Sequence, residues 1–443
     1  MKKLGLGLVG VIAVFAIYYF TAGATQLTNK LKTQIETELT TLQTQGFSVE
    51  GRETSEKKEH FILTFQEAEK YTPFLNTYGA QLNVNDAKAL EGFQIGIDIT
   101  YIANAYSAAS FDVYPVALPT LVSTTNYDEK EKKVLAQVEK MLQDKVILLH
   151  FSINKLGTGF KGYMKDIDTA LVGEKTLNIT MKGFDFDGDI KQDTVTHVNQ
   201  VLKEVGITAK DELSMKMTTL SSSYDVDVNN KYNAKTTYSV ENFTINIPKT
   251  LTLTMDKISS LATTTAKGDL LSGTFKSTIK NIHVDNSGEK LIVNDMRFDI
   301  SANNIDSKAI EALETINPND EEKLNALLQQ LISKGIQMEI PTFEIASLNY
   351  NDQKMEGFKL DANVMVDKTL DLKALAQKPM AAVGAIDASL NLILSNELLA
   401  LIAQQPQAVM AMMLFQPKDE NGKKAYHIEL KDGSVKVNGQ PIM

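Results

Sequence analysis

The sequence contains no cysteine and no tryptophan, and only two of its 45 basic residues, Arg52 and Arg297, are arginines. The lack of cysteine excludes disulfides, thiolate metal ligands and a cysteine nucleophile, although it leaves the redox compartment open. The scarcity of arginine leaves little means for bidentate recognition of phosphate. The formal net charge of −10 likewise argues against nucleic acid, or an anionic lipid surface, as the main partner of the soluble part.

The rest of the composition is ordinary for a globular protein. The chain has 443 residues, of which 43% are hydrophobic and 23% are charged. This length predicts two or three domains, or one elongated domain. The composition therefore excludes disorder over the whole chain, but it indicates no reaction.

The amino terminus indicates a membrane anchor. Lys2 and Lys3 precede an uncharged run from Leu4 to Phe20, and the next charged residue is Lys30. This run provides the ~20 residues that a transmembrane helix needs, and lysines before it favour a cytoplasmic amino terminus with an exported body. The side chains predicted to contact the bilayer are Leu4, Leu8, Val11, Val14, Phe15, Ile17, Tyr18, Tyr19 and Phe20.

A cleaved signal peptide is the alternative interpretation of this segment. Ala22-Gly23-Ala24 has the small-x-small pattern of a signal-peptidase site. The apolar run is longer than that of a usual signal peptide, however, and the bulky residues 18–20 crowd the approach to the cleavage point. We therefore favour an uncleaved anchor over residues 1–24.

Residues 25–45 predict an amphipathic helix that ends at Gly46. Leu27, Leu31, Ile35, Leu39 and Leu42 form one apolar stripe along it. The helix is either a stalk or dimerising element standing on the membrane, or a helix packed on its own domain. The sequence does not distinguish these two interpretations.

Most of the remaining chain predicts antiparallel β-structure. Residues 47–65 indicate a hairpin around the charged turn 53–59, and residues 93–99 alternate apolar and polar side chains, as a strand with one buried face does. Similar alternation occurs in residues 177–190, 243–255, 291–300, 358–366 and 385–394. Helical patterns occur in residues 128–145, 194–205, 306–316, 318–334 and 396–415.

These patterns predict an α+β, β-rich fold. We expect a long curved antiparallel sheet built of repeated meanders, with helices packed on one side and a single transmembrane helix before it. The predicted regions are the anchor 1–24, the amphipathic helix 25–46, a β-rich region 47–240, and a second β-rich region 241–443 with helices at about 306–334 and 396–415.

Five phenylalanines indicate an internal repeat. Phe93, Phe184, Phe243, Phe298 and Phe358 each open an alternating segment, at successive spacings of 91, 59, 55 and 60 residues. One interpretation is a repeated β-meander that stacks into one long sheet. The other is that aromatic residues are common at strand starts.

Two patterns resemble binding motifs but are better explained by structure. Residues 157–162 match GxGxxG, but no helix long enough to complete a dinucleotide-binding unit follows, so we predict a glycine-containing hairpin. The carboxylates of residues 185–193 do not have the spacing of a calcium loop. Asp187-Gly188 is instead predicted to be a tight turn between two strands.

The histidines give no metal motif. His60, His150, His197, His283 and His427 are far apart, and no HExxH sequence is present. No nucleophile elbow or phosphate-binding loop is present either. We therefore predict no catalytic residues, no metal site and no cofactor.

Residues 396–415 form the most apolar segment of the body, interrupted by Pro406. Each part is too short to span a bilayer. A helix packed on the core is the favoured interpretation, and the alternative is an adaptable contact surface for a lipid or peptide. The residues of this candidate hydrophobic contact are Met410, Met412, Met413 and Phe415.

The layout resembles that of a known family. The lysine-led anchor, the β-rich body and the closing hairpin KDGSVKVNGQ at 431–440 resemble the YdgA-like family, bacterial domain of unknown function 945. The resemblance extends over nearly the whole chain in layout, but only the two ends are motif-like. It implies an inner-membrane anchor and a body in the periplasm of a Gram-negative bacterium, it allows a homodimer, and it supplies no catalytic residues.

These features predict a non-catalytic binding role in the cell envelope. A sheet with one apolar face would hold a lipid or another hydrophobic ligand in a groove. The alternative is a dimeric scaffold that uses the helix at residues 25–45. An envelope hydrolase is a third, less favoured interpretation, because no acid–base or nucleophilic constellation is recognisable.

Overall fold

A computed structural model describes residues 28–77, 80, 82–101, 106–125, 127–192, 194–316, 320–372, 384–405, 412 and 415–442. The chain divides into two compact units, the first ending at Val228 and the second beginning at Asn229. The predicted anchor at residues 1–24 lies outside the described ranges. Within those ranges, no helix has the length and apolar character needed to cross a membrane.

The first unit is an antiparallel sheet with helices. Its helices are α1 (Thr28–Thr44), α2 (Ala68–Thr77), α3 (Val84–Lys88), α4 (Thr120–Thr124) and α5 (Glu129–Gln143). Its strands are β1 (Phe47–Thr54), β2 (Lys58–Phe65), β3 (Gln94–Tyr101), β4 (Ser107–Ala117), β5 (Leu149–Asn154), β6 (Gly159–Met164), β7 (Ile167–Val172), β8 (Thr176–Lys191), β9 (Thr194–Ala209) and β10 (Leu213–Asp227). Consecutive strands pair, except that β6 and β7 both pair with β8, one with each half of it.

Helix α1 packs on the sheet of its own unit. Its stripe residues Leu31, Ile35, Leu39 and Leu42 are 6%, 3%, 3% and 0% exposed and belong to one hydrophobic core with the strands and α2. Gly46 follows with a φ of +90°, a conformation that glycine adopts readily and that ends the helix. Of the two interpretations of this helix, the structure shows the one in which it packs on its own domain.

The second unit is an antiparallel sheet whose first six strands are long and whose last five are short. Its strands are β11 (Asn230–Ile247), β12 (Leu251–Lys267), β13 (Leu270–Asn286), β14 (Glu289–Asp306), β15 (Gln337–Tyr350), β16 (Gln353–Val366), β17 (Ile386–Leu394), β18 (Lys418–Glu420), β19 (Lys423–Lys431), β20 (Ser434–Val437) and β21 (Gln440–Pro441). Its helices are α6 (Ser307–Thr315), α7 (Glu321–Ile332) and α8 (Asn396–Ile402). Strands β11 to β17 pair in chain order, and β19 joins β17.

The predicted β-rich α+β class, with a long antiparallel sheet and a few helices, is confirmed. The helix predicted at 128–145 is α5, which begins with a capping box in which Asp128 accepts from the Glu131 N–H while the Glu131 side chain accepts from the Asp128 N–H. The helices predicted at 306–316 and 318–334 correspond to α6 and α7. The hairpins predicted around residues 53–59, 157–162 and 432–433 are also present.

The helix predicted at residues 194–205 is wrong, because this segment is strand β9. Its apolar residues follow the three- and four-residue spacing of a helix, as Leu202 and Val205 illustrate. In the strand, Leu202 pairs with Phe184 and Val205 pairs with Met181. Phe184 and Met181 pack against the same core, so the alternation of sides is interrupted between them. A strand with such an interruption imitates a helical pattern.

Three other predictions also need correction. Asp187-Gly188 is not a turn but lies inside β8, where a Cβ on Gly188 would come 2.4 Å from the ring of Phe160. Of the five repeat phenylalanines, only Phe93 comes directly before a strand, and the other four lie within strands. The alternating segment 243–255 contains the turn between β11 and β12.

A different repeat is visible in the backbone. Gly183, Thr219, Lys257 and Asp295 have positive φ values of 63°, 49°, 50° and 52° within β8, β10, β12 and β14. The positions 183, 219, 257 and 295 give intervals of 36, 38 and 38 residues. Each has an apolar residue two positions before it and one position after it, as at Met255 and Ile258 around Lys257. The repeating element is therefore a two-stranded hairpin with one interruption.

Candidate functional site

One side of the sheet in the second unit is apolar across its strands. The pairing register places apolar residues directly opposite one another in two adjacent rows. The first row is Val240, Ile258, Ile279, Met296, Ile345, Phe358 and Leu394, and the second is Phe243, Met255, Ile282, Val293, Leu348 and Met355. Leu348, Met355 and Phe358 share one hydrophobic cluster, which places both rows on the same side. We call this side the apolar face.

Four phenylalanines cross the apolar face. The ring centroids of Phe275 and Phe298 are 6.4 Å apart, those of Phe298 and Phe343 are 5.7 Å apart, and those of Phe343 and Phe358 are 5.0 Å apart. The last two pairs are edge-to-face, a favourable geometry for aromatic rings. We call these four residues the aromatic row. Together they extend over β13 to β16 and offer a continuous hydrocarbon surface.

Part of the apolar face is more exposed than the core side of the first unit, while Val293, Met355 and Leu394 on it are buried. In the first unit, Phe61, Ile97 and Phe151 share a core with α1 and α2 and are at most 1% exposed. On the apolar face, Phe275 is 38% exposed and Tyr238, which lies in register with Phe298, is 52% exposed. Removing such surface from water gains ~25 cal/mol per Å², so a bound apolar molecule would be stabilised here.

The opposite side of the same strands is polar. Arg297, Glu344 and Lys359 face one another across β14, β15 and β16, so that unlike charges alternate. On neighbouring strands, the Asn242 Nδ2 donates to Asp256 Oδ1 at 2.8 Å. The sheet is therefore amphipathic, with one side suited to water and the other to hydrocarbon.

Helices contact some of the strands that carry the apolar face. Helix α8 packs with Leu398 against Met355 and Leu394, and its first turn is capped by Ser395, whose Oγ accepts from the Leu398 N–H at 3.1 Å. Helices α6 and α7 contact β14. None of the described side chains of α7 is fully buried.

Polar groups on the apolar face are few. The hydroxyls of Ser260 and Ser277, which lie in register between Tyr238 and Phe298, are 3.0 Å apart and bond to each other. The chemistry of the face is consequently that of dispersion contacts and burial of hydrocarbon, without a recognisable acid, base or nucleophile on it.

A separate row of titratable side chains crosses the first unit on the side away from its core. His60, Asp98, Asp112, His150 and Tyr163 lie in register across β2 to β6. The His60 Nδ1 is 2.6 Å from Asp98 Oδ1, and the His150 Nδ1 is 2.6 Å from Asp112 Oδ1. These pairs were missed by the sequence analysis because the partners are far apart in the chain.

Asp98 has a second partner, the ammonium group of Lys145. The Nζ of Lys145 lies 2.9 Å from Asp98 Oδ2 and 3.5 Å from the centre of the Tyr114 ring. Burial acts to raise the pKa of Asp98, but hydrogen bonds from Lys145 and His60 outweigh it, and the net result is a pKa below the ordinary value. Asp98 is therefore held as a carboxylate by the hydrogen bonds of Lys145 and His60.

The described residues contain no group of three histidine or carboxylate side chains arranged to hold a metal ion. The residues of the GxGxxG pattern form the β5–β6 turn and β6, with no helix at their carboxyl end. The carboxylates of Asp185, Asp187 and Asp189 alternate with apolar residues along β8.

The sequence-predicted contact residues are placed only in part. The nine anchor residues from Leu4 to Phe20 lie outside the described residues, as do Met410 and Met413. Met412 and Phe415 are half-buried. Helix α8, at the start of the segment 396–415, contributes Leu398 to the hydrophobic cluster at the end of the apolar face.

Comparison with known proteins gives no relative. The chain matches no protein-family profile, no curated protein and no solved structure.

The aromatic row was not identified from the sequence as a unit. Phe298 and Phe358 were noticed for their spacing, but Phe275 and Phe343 were not. Which phenylalanines are neighbours depends on the strand register, and the interruptions at residues such as Asp295 shift which positions share a side. A pair of apolar residues three positions apart recurs around each interruption. This pair is the sequence signal that indicates which positions share the apolar side.

Proposed function

We propose that this chain is a membrane-anchored protein of the bacterial cell envelope whose second unit binds the acyl chain of a lipid on its apolar face. The anchor is the segment 1–24, and the body faces the periplasm. The role is one of binding, without a chemical reaction. Membership of the YdgA-like family, with its envelope location, is part of this proposal and is supported by the layout and the closing hairpin.

The observation that supports the binding role is the aromatic row on a partly exposed face. A core side chain of a small domain is usually almost fully buried, as in the first unit. The four phenylalanines instead form a surface at which Phe275 remains 38% exposed. Contiguous exposed apolar surface commonly marks a ligand or interaction site.

The chemistry of the face favours an acyl chain over a polar ligand. The two apolar rows consist of aliphatic, methionine and phenylalanine side chains, and the charges of Arg297, Glu344 and Lys359 lie on the other side of the sheet. A long hydrocarbon would replace water along several strands at once. Its gain in free energy grows with the apolar area buried.

Mass spectrometry of lipid that co-purifies with the full-length protein in mild detergent tests this proposal. We expect a phospholipid in stoichiometric amount that is retained through dilution and lost in a variant with serine at Phe298 and Phe343. Wild-type protein that retains no lipid, and that binds no added fatty acid, would contradict the proposal.

The scaffold alternative receives less support. Its dimerising element was the helix at residues 25–45, and four side chains of its stripe are buried in the first unit, namely Leu31, Ile35, Leu39 and Leu42. Sedimentation of the full-length protein, with exposed positions of α1 such as Thr40 replaced, measures this directly. A change in oligomeric state would restore the scaffold role for α1.

A further inference from the structure

The end of the first-unit sheet at which α1 begins carries two highly exposed apolar side chains. Tyr106 is 84% exposed and Leu156 is 77% exposed, the highest fractions among the large apolar side chains of the described residues. The backbone N–H of Lys155 donates to the carbonyl oxygen of Tyr106 at 3.1 Å, which joins the two segments. We call Tyr106 and Leu156 the apolar tip.

The turn that carries Leu156 is well defined. Asn154 Oδ1 accepts from the Thr158 N–H at 3.0 Å, and Asn154 Nδ2 donates to Thr158 Oγ1 at 3.1 Å. The Gly157 N–H donates to the Asn154 carbonyl at 3.0 Å, and Gly157 has a φ of +66°, which suits glycine. The outward position of Leu156 is thus fixed by hydrogen bonds of the turn.

Helix α1 starts at the same end. The Lys32 Nζ, in the first turns of α1, donates to the carbonyl oxygens of Ser55 and Glu56 at 3.1 and 2.8 Å. These two residues lie in the turn between β1 and β2. The antiparallel pairing of β2 with β3, of β3 with β4 and of β4 with β5 places that turn, Tyr106 and the Leu156 turn at one end of the sheet.

The predicted anchor is therefore connected to the sheet at the apolar tip. Residues 21–27 separate the end of the apolar run at Phe20 from Thr28 at the start of α1. Seven extended residues reach at most about 25 Å. An anchor in the bilayer would hold this end of the first unit close to the membrane surface.

We propose that the apolar tip inserts into the interfacial layer of the bilayer that contains the anchor, and this inference rests on the anchor in the proposed function. A leucine enters the acyl region and a tyrosine ring is favoured at the interface. The exposed Glu56 and Lys57 in the neighbouring turn carry opposite charges, and the exposed Lys155 beside Leu156 adds one positive charge. Apolar contact is therefore the main attraction to the bilayer, and this single cation adds a smaller one.

The absence of tryptophan provides a direct test. A Leu156→Trp variant of the full-length protein, reconstituted in phosphatidylcholine vesicles, has one tryptophan at the tip. We expect its emission to shift to shorter wavelength and to be quenched by lipids brominated on the acyl chain, at least about two-fold more than the control. The control is Val172→Trp, because Val172 is 55% exposed and lies at the opposite end of β8 from the tip.

Equal quenching of the two variants would overturn the proposal. In a Leu156→Ser variant, the second measurement is acyl-chain binding to the second unit. This binding should be unchanged, because Leu156 is not part of the apolar face. If wild-type protein binds lipid but the tip tryptophan is not quenched, only this inference fails. If the tip tryptophan is quenched but no lipid is bound, only the proposed binding function fails.

Discussion

Phe298 and Phe343 face each other on neighbouring strands, with ring centroids 5.7 Å apart and ring planes at 88°. They stand at the middle of the aromatic row, between Phe275 on one side and Phe358 on the other. Their backbones are joined by the sheet, so the position of each ring is set by the strand register. The pair is therefore the most direct place at which to test ligand binding.

Replacing Phe343 with serine is expected to weaken the binding of a fluorescent fatty acid about ten-fold, because an aromatic contact surface is lost. The matched control is Glu344→Gln on the next residue, whose side chain lies on the polar side of the same strand. The control should change the Kd by less than about two-fold, because it leaves the apolar face intact. Equal effects of the two variants in a fluorescence titration would argue against binding at this face.

Arg52 links α1 to the sheet through two carboxylates of different burial. Its Nη2 is 2.5 Å from Glu36 Oε2, and its Nε donates at 2.9 Å to Glu59 Oε1, whose side chain is only 2% exposed. Arg52→Met should lower the free energy of unfolding of the first unit by about 2–4 kcal/mol, because the buried carboxylate of Glu59 loses its cation. Urea denaturation measures this change.

Glu36→Gln is the control for Arg52. The Glu36 side chain is 60% exposed, so its pair with Arg52 should contribute less than about 1 kcal/mol. The hydrogen bond from Arg52 lowers the pKa of Glu36, so Arg52→Met should also return that pKa toward its ordinary value of 4.5. A loss as large in Glu36→Gln as in Arg52→Met would contradict the assignment of the main contribution to Glu59.

Gly357 lies where β16 passes very close to β15. A Cβ at this position would be 1.8 Å from the carbonyl oxygen of Ile345, a backbone atom that cannot move without disturbing the strand pairing. Gly357→Ala should therefore lower the free energy of unfolding of the second unit by about 3 kcal/mol or more. Gly384→Ala is the control, since a Cβ there has no atom within 4 Å. Thermal or urea unfolding compares the two.

The carboxylate of Asp98 makes the stability of the first unit depend on pH. Its pKa lies below the ordinary value of 3.8, so the folded state binds this proton less readily than the unfolded state. The stabilisation is complete above the unfolded-state pKa and is lost as the pH falls through the folded-state pKa. Lys145→Met should raise the pKa of Asp98 and flatten this part of the profile of unfolding free energy against pH.

Lys140→Met, an exposed position one turn earlier near the end of α5, is the control for Lys145. It should leave the titration of Asp98 unchanged. Carbon-detected NMR of the Asp98 carboxyl group follows both variants. An Asp98 pKa that is the same in Lys145→Met as in wild type would show that the lysine does not hold the carboxylate.

The sequence was sufficient to predict those elements that are marked by residues close together in the chain. Asp128 and Glu131 identify the start of α5, and the stripe from Leu31 to Leu42 identifies α1. The strand β9 was mistaken for a helix because an interrupted strand places Leu202 and Val205 on one side at a helical spacing. The local pattern cannot distinguish these cases when the deciding interaction is the pairing with Phe184 and Met181.

The candidate site was predictable as a type of surface but not as a set of residues. Alternating strands indicate an apolar side, and this follows from period two alone. The identity of the aromatic row depends on which residues face each other on different strands, such as Phe298 and Phe343, 45 positions apart at 298 and 343. Likewise, His60 and Asp98 are neighbours because the register of β2 and β3 places them opposite each other.

The strands are interrupted at regular intervals, at Gly183, Thr219, Lys257 and Asp295, so the hairpin is the repeating unit of the sequence. A duplication or deletion of about 38 residues would add or remove two strands, which changes the width of a sheet by roughly 10 Å. The apolar pairs around each interruption would remain in register with those of the next hairpin. Evolution could thus change the length of the apolar rows by whole hairpins while leaving the remaining strands unaltered.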